Sequence, residues 1–344
     1  MHRLFSTPLA LIILPLVLFG CKRNDTDQRF SLSDFEQIKI ETNQIETIDI
    51  PIIYHSSFIR YCTPSSFVIS SPRGDDNLLV HYDMEAGKMT RFVSRGRGPE
   101  ELLGVSDIHV NHDTLYVYSI MDKKELLYDL SKGNLTYCKE VQLDNDYMRV
   151  VHTPEGGYLG LPYQGGRLSV LSSNGKVQEY AGSFPIIDGT KEAINNMALQ
   201  SLIEYSPNGQ HLCSVYQSID CIEIYDESLE LSVRLFGPED KLPSLKAVET
   251  RGGMMFTQSP QQNIFYGLHV NKRNIIVGYI GQVFSNRNDI NQGINSLLCF
   301  NWKGQCKQRY VLPFELVCFD IDHNGYVIGL TNEESPRVIR FPLK

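Results

Sequence analysis

Between residues 105 and 141 apolar and polar positions alternate in four short runs, DIHV, LYVYS, ELLYD and NLTYCKEV. The breaks between them carry Asn, Asp, Ser, Lys and Gly. A period of two marks a strand with its two faces in different surroundings, and Asn, Asp and Gly at the breaks are the residues that turn a hairpin. The stretch therefore predicts four consecutive antiparallel strands, at 107–110, 115–119, 125–129 and 134–141.

The unit recurs. Polar turns at 62–65, 111–113, 153–156, 206–209, 271–274 and 322–325 each separate an apolar strand from a second, alternating one. With Pro64, His112, Pro154, Pro207, Lys272 and His323 as markers, the intervals are 48, 42, 53, 65 and 51 residues. A four-stranded propeller blade takes roughly 40–50 residues, so the interval of 65 marks an insertion. Second hairpins follow the first five turns, at 78–83 with 85–93, 125–129 with 133–141, 168–174 with 175–180, 221–226 with 230–236, and 296–301 with 304–312. The sixth unit, 316–344, has room for three strands only, the last at 338–341. Residues 38–50, IKIETNQIETIDI, alternate, precede the first blade and belong to no hairpin. They are expected to supply the missing fourth strand and close the ring, because a three-stranded last blade would leave an open edge.

The fold expected is thus all-β, a six-bladed β-propeller of four-stranded blades over residues 38–344. A two-domain β-sandwich would give many short strands but not one turn repeated along the whole chain. WD and kelch propellers fit the period and not the residues, since Trp302 is the single tryptophan and no Gly-His or Trp-Asp pair recurs. Residues 238–262 and 281–293 exceed ordinary blade connections and read as lids, binding loops or surface excursions.

The amino end has a different character. Residues 1–20 carry basic His2 and Arg3, then an apolar run over 8–19 that is too short to span a bilayer and reads as the core of a signal peptide. The run ends at Leu18–Phe19–Gly20–Cys21, which resembles a bacterial lipobox, so Cys21 is the expected site of lipidation. Phe19 is larger than the residue usual at its place. Residues 21–37 are expected to tether the lipid to the propeller, the polar KRNDTDQ at 22–28 being the flexible part.

Lys and Arg number 32 against 40 Asp and Glu, a formal net charge of −8 without a long basic cluster. Nucleic acid is excluded as a partner on that ground, because neutralising phosphates takes a concentrated basic face. Removing Cys21 from eight cysteines leaves seven, an odd number, so at least one is unpaired within the chain. Cys213 with Cys221, and Cys299 with Cys306, could bridge neighbouring strands. The favoured reading keeps the cysteines as small buried apolar residues, since no dense disulfide framework is visible.

Residues 96–102, GRGPEEL, carry Gly96, Gly98, Pro99 and Glu100, and Asp107 with Ile108 opens the next strand. With these the chain resembles the TolB-like six-bladed propeller lipoproteins of gut-type Gram-negative bacteria, which carry Gly-x-Gly-Pro-Glu between their first two blades. Glu101 departs from the glycine or small residue frequent there. The resemblance implies the propeller and the lipid anchor, and it implies no particular activity.

No nucleophile elbow, zinc helix, Cys-x-x-Cys pair or P-loop occurs, and GRGPEE has Glu101 where a dinucleotide-binding loop needs its third glycine. Asp320–Asn324 with Gly325 begins like a calcium loop but has Thr331 at the twelfth position, and it falls on the sixth hairpin turn, so it reads as a turn. His109, His152 and His269 lie on or beside first strands, nearest the axis, where a metal or catalytic cluster competes with ordinary packing. Strand alternation turns such side chains toward neighbouring blades, and neither a metal nor a cofactor is assigned.

The function expected is that of an outer-membrane lipoprotein of the cell envelope, attached to the membrane by its lipid and binding a carbohydrate or protein ligand on one face of the propeller. A hydrolase or lyase acting on carbohydrate is the alternative, with His109, His152 and Glu204 as its acid–base residues, and a structural subunit of an envelope complex is the third reading. Gly98–Pro99–Glu100 and Gly237–Pro238–Glu239 each leave an outermost strand. Glu100 and Glu239, with Arg95 and Arg97, are expected to rim the mouth of the funnel and select what enters.

Overall fold

The first hairpins of blades 3, 4, 5 and 6 have turns held by their own polar side chains. Asn271 Oδ1 accepts from the amides of Arg273 and Asn274 at 2.9 and 2.8 Å, and Asp322 Oδ1 from those of Asn324 and Tyr326 at 2.9 and 2.8 Å. Ser206 and Thr153 serve the corresponding turns, accepting from the amides of His211 and Gly157 at 3.0 and 3.1 Å. Short polar side chains that bond backbone a few residues on are what fixes such turns, which explains why the repeat is clearest there. The Asp320–Gly325 stretch is therefore a turn, with Gly325 in the left-handed region at φ 81°.

The computed structural model describes residues 26–50, 57–71, 75–132, 135–163, 165–185, 198–238, 244–250, 253–259, 261–284 and 293–343. From the axis outward, blade 1 is Ile59–Thr63, Ser66–Ser70, Asn77–Asp83 and Lys88–Arg95. Blade 2 is Asp107–Asn111, Thr114–Ser119, Lys124–Asp129 and Thr136–Gln142. Blade 3 is Tyr147–His152, Tyr158–Pro162, Leu168–Leu171 and Val177–Ala181, and blade 4 is Ser201–Tyr205, His211–Tyr216, Cys221–Asp226 and Leu231–Phe236. Blade 5 is Gln261–Val270, Asn274–Phe284, Ile294–Asn301 and the first half of Cys306–Ile321, whose second half opens blade 6 with Tyr326–Thr331 and Val338–Pro342. The six innermost strands contact one another in chain order and the last returns to the first, so the ring is closed.

The core lies between blades rather than at the centre. Second and third strands are covered on both faces by the neighbouring blades, so Ser66–Ser70 and Lys124–Asp129 are buried almost throughout. Outermost strands such as Thr136–Gln142 are mostly exposed. One apolar cluster fills each interface, for example Val68, Leu79, Ile108 and Leu126 between blades 1 and 2, and Ile59, Phe67, Ile328 and Leu330 between blades 6 and 1. The axis is left to polar side chains.

The closing strand is shorter than expected and is part of a longer strap. Only Glu46–Ile48 pairs antiparallel with Val338–Arg340 as the fourth strand of blade 6. Glu36–Lys39, inside the 38–50 segment and just before it, lies parallel to Gln308–Val311 on the outer edge of blade 5. Asp27–Arg29 lies parallel to Arg234–Phe236 on the outer edge of blade 4. The chain thus runs across three blades before the first is built. Residues 27–37, assigned to the tether, belong instead to the propeller, because Phe30 and Phe35 are apolar anchors buried among the blade 4 and blade 5 side chains.

The two long connections carry strands, and the cysteines are unbridged as expected. Within 238–262, Ser244–Thr250 and Gly253–Ser259 form an antiparallel hairpin of their own, and in 281–293 the strand Asn274–Phe284 runs on past residue 281. The seven described cysteines are all free, Cys213, Cys221, Cys299 and Cys318 being buried among apolar neighbours.

Residues 96–102 build an edge. Glu101–Leu102 adds a fifth strand to blade 1, parallel to Ser94–Arg95. Gly98 N donates to Glu101 Oε2 at 2.8 Å, and a Cβ on Gly96 would meet that same oxygen at 2.0 Å. The carboxylate of Glu101 therefore occupies space that the glycine leaves, which gives this position a structural use.

Candidate functional site

The innermost strand of every blade places one ionisable side chain on the axis. These are Arg60, His109, His152, Glu204, His269 and Asp320, one from each of blades 1 to 6, and all six line a central cavity of about 620 Å³. The walls toward solvent are the first hairpin turns, among them Pro64, His112, Pro154, Pro207 and His323. At the opposite end the passage narrows to about 50 Å³ between Asp107, Arg149 and Tyr266. Arg60, His109 and Glu204 line both spaces, which puts them at the constriction. The site is a funnel whose wide end is built from turns and whose floor is built from charges.

Two histidines are oriented by carboxylates. His269 Nδ1 lies 2.9 Å from Asp320 Oδ1, while Asp320 Oδ2 accepts from the amide of Tyr61 at 2.8 Å across the joint between blades 6 and 1. His152 Nε2 lies 2.9 Å from Glu125 Oε2, a side chain buried on the third strand of blade 2. The rings of Tyr116 and Tyr158 flank His152 with centroids 3.6 and 4.4 Å away. A histidine with one nitrogen fixed by a carboxylate presents the other in a set direction.

Burial divides the titration of these groups. It pushes Glu204 up to about 7, against the opposing pull of His269 and Arg60. It takes His109 down to about 4, with His152 and Arg60 adding to the shift, so His109 is neutral near pH 7. For His269 burial works against the proton, but the hydrogen bond and charge of Asp320 with the charge of Glu204 outweigh it and raise the pKa. Burial likewise works to raise Asp320, and its bond to His269, with Arg60 nearby, holds it below the ordinary value. The floor at neutral pH therefore offers a cation at Arg60, a neutral imidazole at His109 and a carboxyl near its midpoint at Glu204. Such a set can orient a polar molecule and exchange protons with it.

The structure brings together His109, His152 and Glu204, the residues named as acid–base candidates, and adds His269 from blade 5. Arg60 and Asp320 were missed. Measured from the turn markers, His109, Glu204, His269 and Asp320 all stand three residues before the marker, His152 two and Arg60 four. Aligning the six turns would have exposed the four that stand in register, Asp320 among them. Arg95, Arg97 and Glu100 are exposed and are not among the residues that line either space. Their loop enters blade 2 at the start of its innermost strand, whereas the wide mouth is built from turns at the ends of such strands. Glu239 and Cys21 lie outside the described residues. No group of three or more His, Cys, Asp or Glu side chains that could hold a metal ion is found among the described residues.

Two solved structures have the same fold at low sequence identity. A Bacteroides fragilis protein inferred to be exported is 13% identical with a TM-score of 0.55, covering 89% of this chain and 98% of that one. The Neurospora crassa Pan2 WD40 domain is 11% identical with a TM-score of 0.51, covering 89% and 98%. No curated protein matches the sequence. The sequence model of one family does match, over residues 62–324, a span of well over half the chain that runs from the first turn to the sixth: the chain belongs to the TolB-like 6-blade propeller-like family.

Proposed function

We propose that the protein is an envelope lipoprotein that binds a small polar molecule in the axial funnel. The observation that carries this is the convergence of Arg60, His109, His152, Glu204, His269 and Asp320, one from the innermost strand of each blade, on a single axial cavity. Charges taken out of water cost stability unless they are paired. A ring that served only as a structural subunit would lose nothing by filling its axis with uncharged side chains, and perturbed groups gathered in one cavity are what a binding or reacting site needs. A cavity of about 620 Å³ suits a mono- or disaccharide or a compound of that size.

The test is thermal shift on the chain from residue 26 onward with neutral sugars, sugar acids, amino acids and dipeptides at millimolar concentration. At least one class is expected to raise the melting temperature by several degrees, as mass action requires for a ligand that binds only the folded state. The double variant His109→Ala with Glu204→Gln should lose the shift. No shift with any class, or a shift that survives the double substitution, would refute the reading.

Glu204 near its midpoint beside a neutral His109 favours a second reading, in which the same funnel runs acid–base chemistry on a bound carbohydrate as a hydrolase or lyase. It is distinguished by turnover: loss of a sugar substrate with time in wild type and not in Glu204→Gln.

The envelope location rests on the apolar run that ends at Gly20–Cys21. Cys21→Ala is expected to abolish labelling by a radioactive fatty acid and to move the protein to the soluble fraction. Undiminished labelling would mean that the acyl chain sits elsewhere.

A further inference from the structure

Three arginines other than Arg60 that the propeller encloses have carboxylates close by. Arg149 pairs with Asp107 at 2.9 Å, and Arg234 grips Glu223 Oε1 through Nη2 and Nε at 2.7 and 2.8 Å. Arg167, 3% exposed, bonds Tyr216 and Ser201 and stands 3.9 Å from Glu223. Arg60, at the constriction of the funnel, forms no ion pair among the described residues. Its Nη1 donates to the carbonyls of Ile59 and Phe319 at 3.2 and 3.3 Å. The rest of the guanidinium makes no other hydrogen bond among the described residues. Each carboxyl whose charge reaches Arg60 has a nearer partner or only part of a charge: Asp320 bonds His269 and the Tyr61 amide, Asp107 pairs with Arg149, and burial holds Glu204 up to about 7.

Asp320, Glu204 and Asp107 act on Arg60 through space and raise its pKa, but none of them pairs with it directly, and the planar fork of donors it presents to the funnel matches a carboxylate. We propose that Arg60 receives the carboxylate of the ligand, so that the funnel selects small carboxylic acids over their neutral counterparts. This inference rests on the reading of the funnel as the site of a polar ligand. His269 stands near enough for its charge and that of Arg60 to act on each other, so the incoming anion meets two positive groups. The neutral imidazole of His109 can accept a hydrogen bond from a hydroxyl or amide of the ligand. Two sources of the carboxylate fit that floor, a sugar acid and an N-acylated amino acid.

Isothermal titration at pH 6 distinguishes them. Glucuronate is compared with glucose, and N-acetylalanine with N-acetylalanine amide, on wild type, Arg60→Gln and Arg60→Lys. In at least one pair the acid is expected to bind about tenfold or more tighter than its neutral partner, the size of a charge-assisted hydrogen-bond pair. Arg60→Gln should remove the difference and Arg60→Lys should retain part of it. The pair that shows the difference names the source. Equal binding of acid and neutral partner in both pairs, or a preference that persists in Arg60→Gln, overturns the proposal. If Arg60→Gln does not fold, Arg60→Lys decides, an undiminished ratio counting against it. Binding of some polar compound in the thermal panel with none of the acids binding overturns the carboxylate assignment and leaves the funnel reading standing. No binding in either experiment overturns both.

Discussion

A chain that begins at residue 41 is expected to be far less stable than one that begins at residue 26, although both keep every residue of the six hairpin units. The shorter chain loses the strands Asp27–Arg29 and Glu36–Lys39 and the buried side chains Phe30, Phe35 and Ile40. Phe30 and Phe35 pack edge-on against each other at 5.9 Å and each against Phe300 at 5.1 Å. Deleting one buried phenylalanine side chain costs about 3–5 kcal/mol, so losing two with their strands exceeds about 6 kcal/mol, a large part of what holds a domain together. The outer edges of blades 4 and 5 would also be bare, and bare edges pair with other chains. The measurement is a urea midpoint with light scattering: the chain from 26 should match the longer protein, and the chain from 41 should unfold early and scatter. Equal midpoints would show that the strap lies on the ring without supporting it. Phe35→Ala alone, with a loss of about 3 kcal/mol, separates packing from edge protection.

The difference between what could and could not be read in the sequence follows from how far apart the interacting residues are. Hairpins are local, and their turns bond their own backbone, so Asn271, Ser206 and Asp322 announced the repeat and the number of blades. Closure by an amino-terminal strand was also legible, because the last unit lacked one. The strap was not. Asp27–Arg29 and Glu36–Lys39 pair with strands some 200 and 270 residues later, and parallel pairing to an outer edge leaves no turn to recognise. Phe30 and Phe35 were the visible sign, two aromatic residues in a segment otherwise read as polar tether. The funnel was half legible for a similar reason. His109, His152 and Glu204 stand out as titratable residues on first strands, whereas Asp320 is masked by the calcium-like turn it opens and Arg60 by standing one residue out of register with the others. Gly98–Pro99–Glu100 stands out as a motif and forms the turn that leads into the edge strand Glu101–Leu102 of blade 1.

Glu204→Gln is expected to stabilise the protein at pH 8 and to leave it nearly unchanged at pH 5. The folded protein holds Glu204 up to about 7 against an ordinary 4.5, because burial penalises its charge. The folded state therefore keeps a proton between about pH 4.5 and 7 that the unfolded chain has released. Stability falls as pH rises through that window and levels off above it. The whole effect is on the order of 3 kcal/mol. Glutamine imitates the neutral carboxyl, so the variant escapes the loss above pH 7 and has little to gain below 4.5. The groups whose charges reach Glu204 are His269, Arg60, Asp320 and Asp107. His269 keeps its raised pKa partly through Glu204, so the substitution weakens that proton and trims the gain. Chemical denaturation of wild type and variant at pH 5, 6, 7 and 8 reads the difference directly. A gap that opens between pH 5 and 8 in favour of the glutamine shows a carboxyl kept at a cost to the fold, as residues held for binding or proton transfer are. A constant gap, or one that favours wild type at pH 8, would mean that Glu204 is an ionised structural partner and that the floor of the funnel is not poised near neutrality.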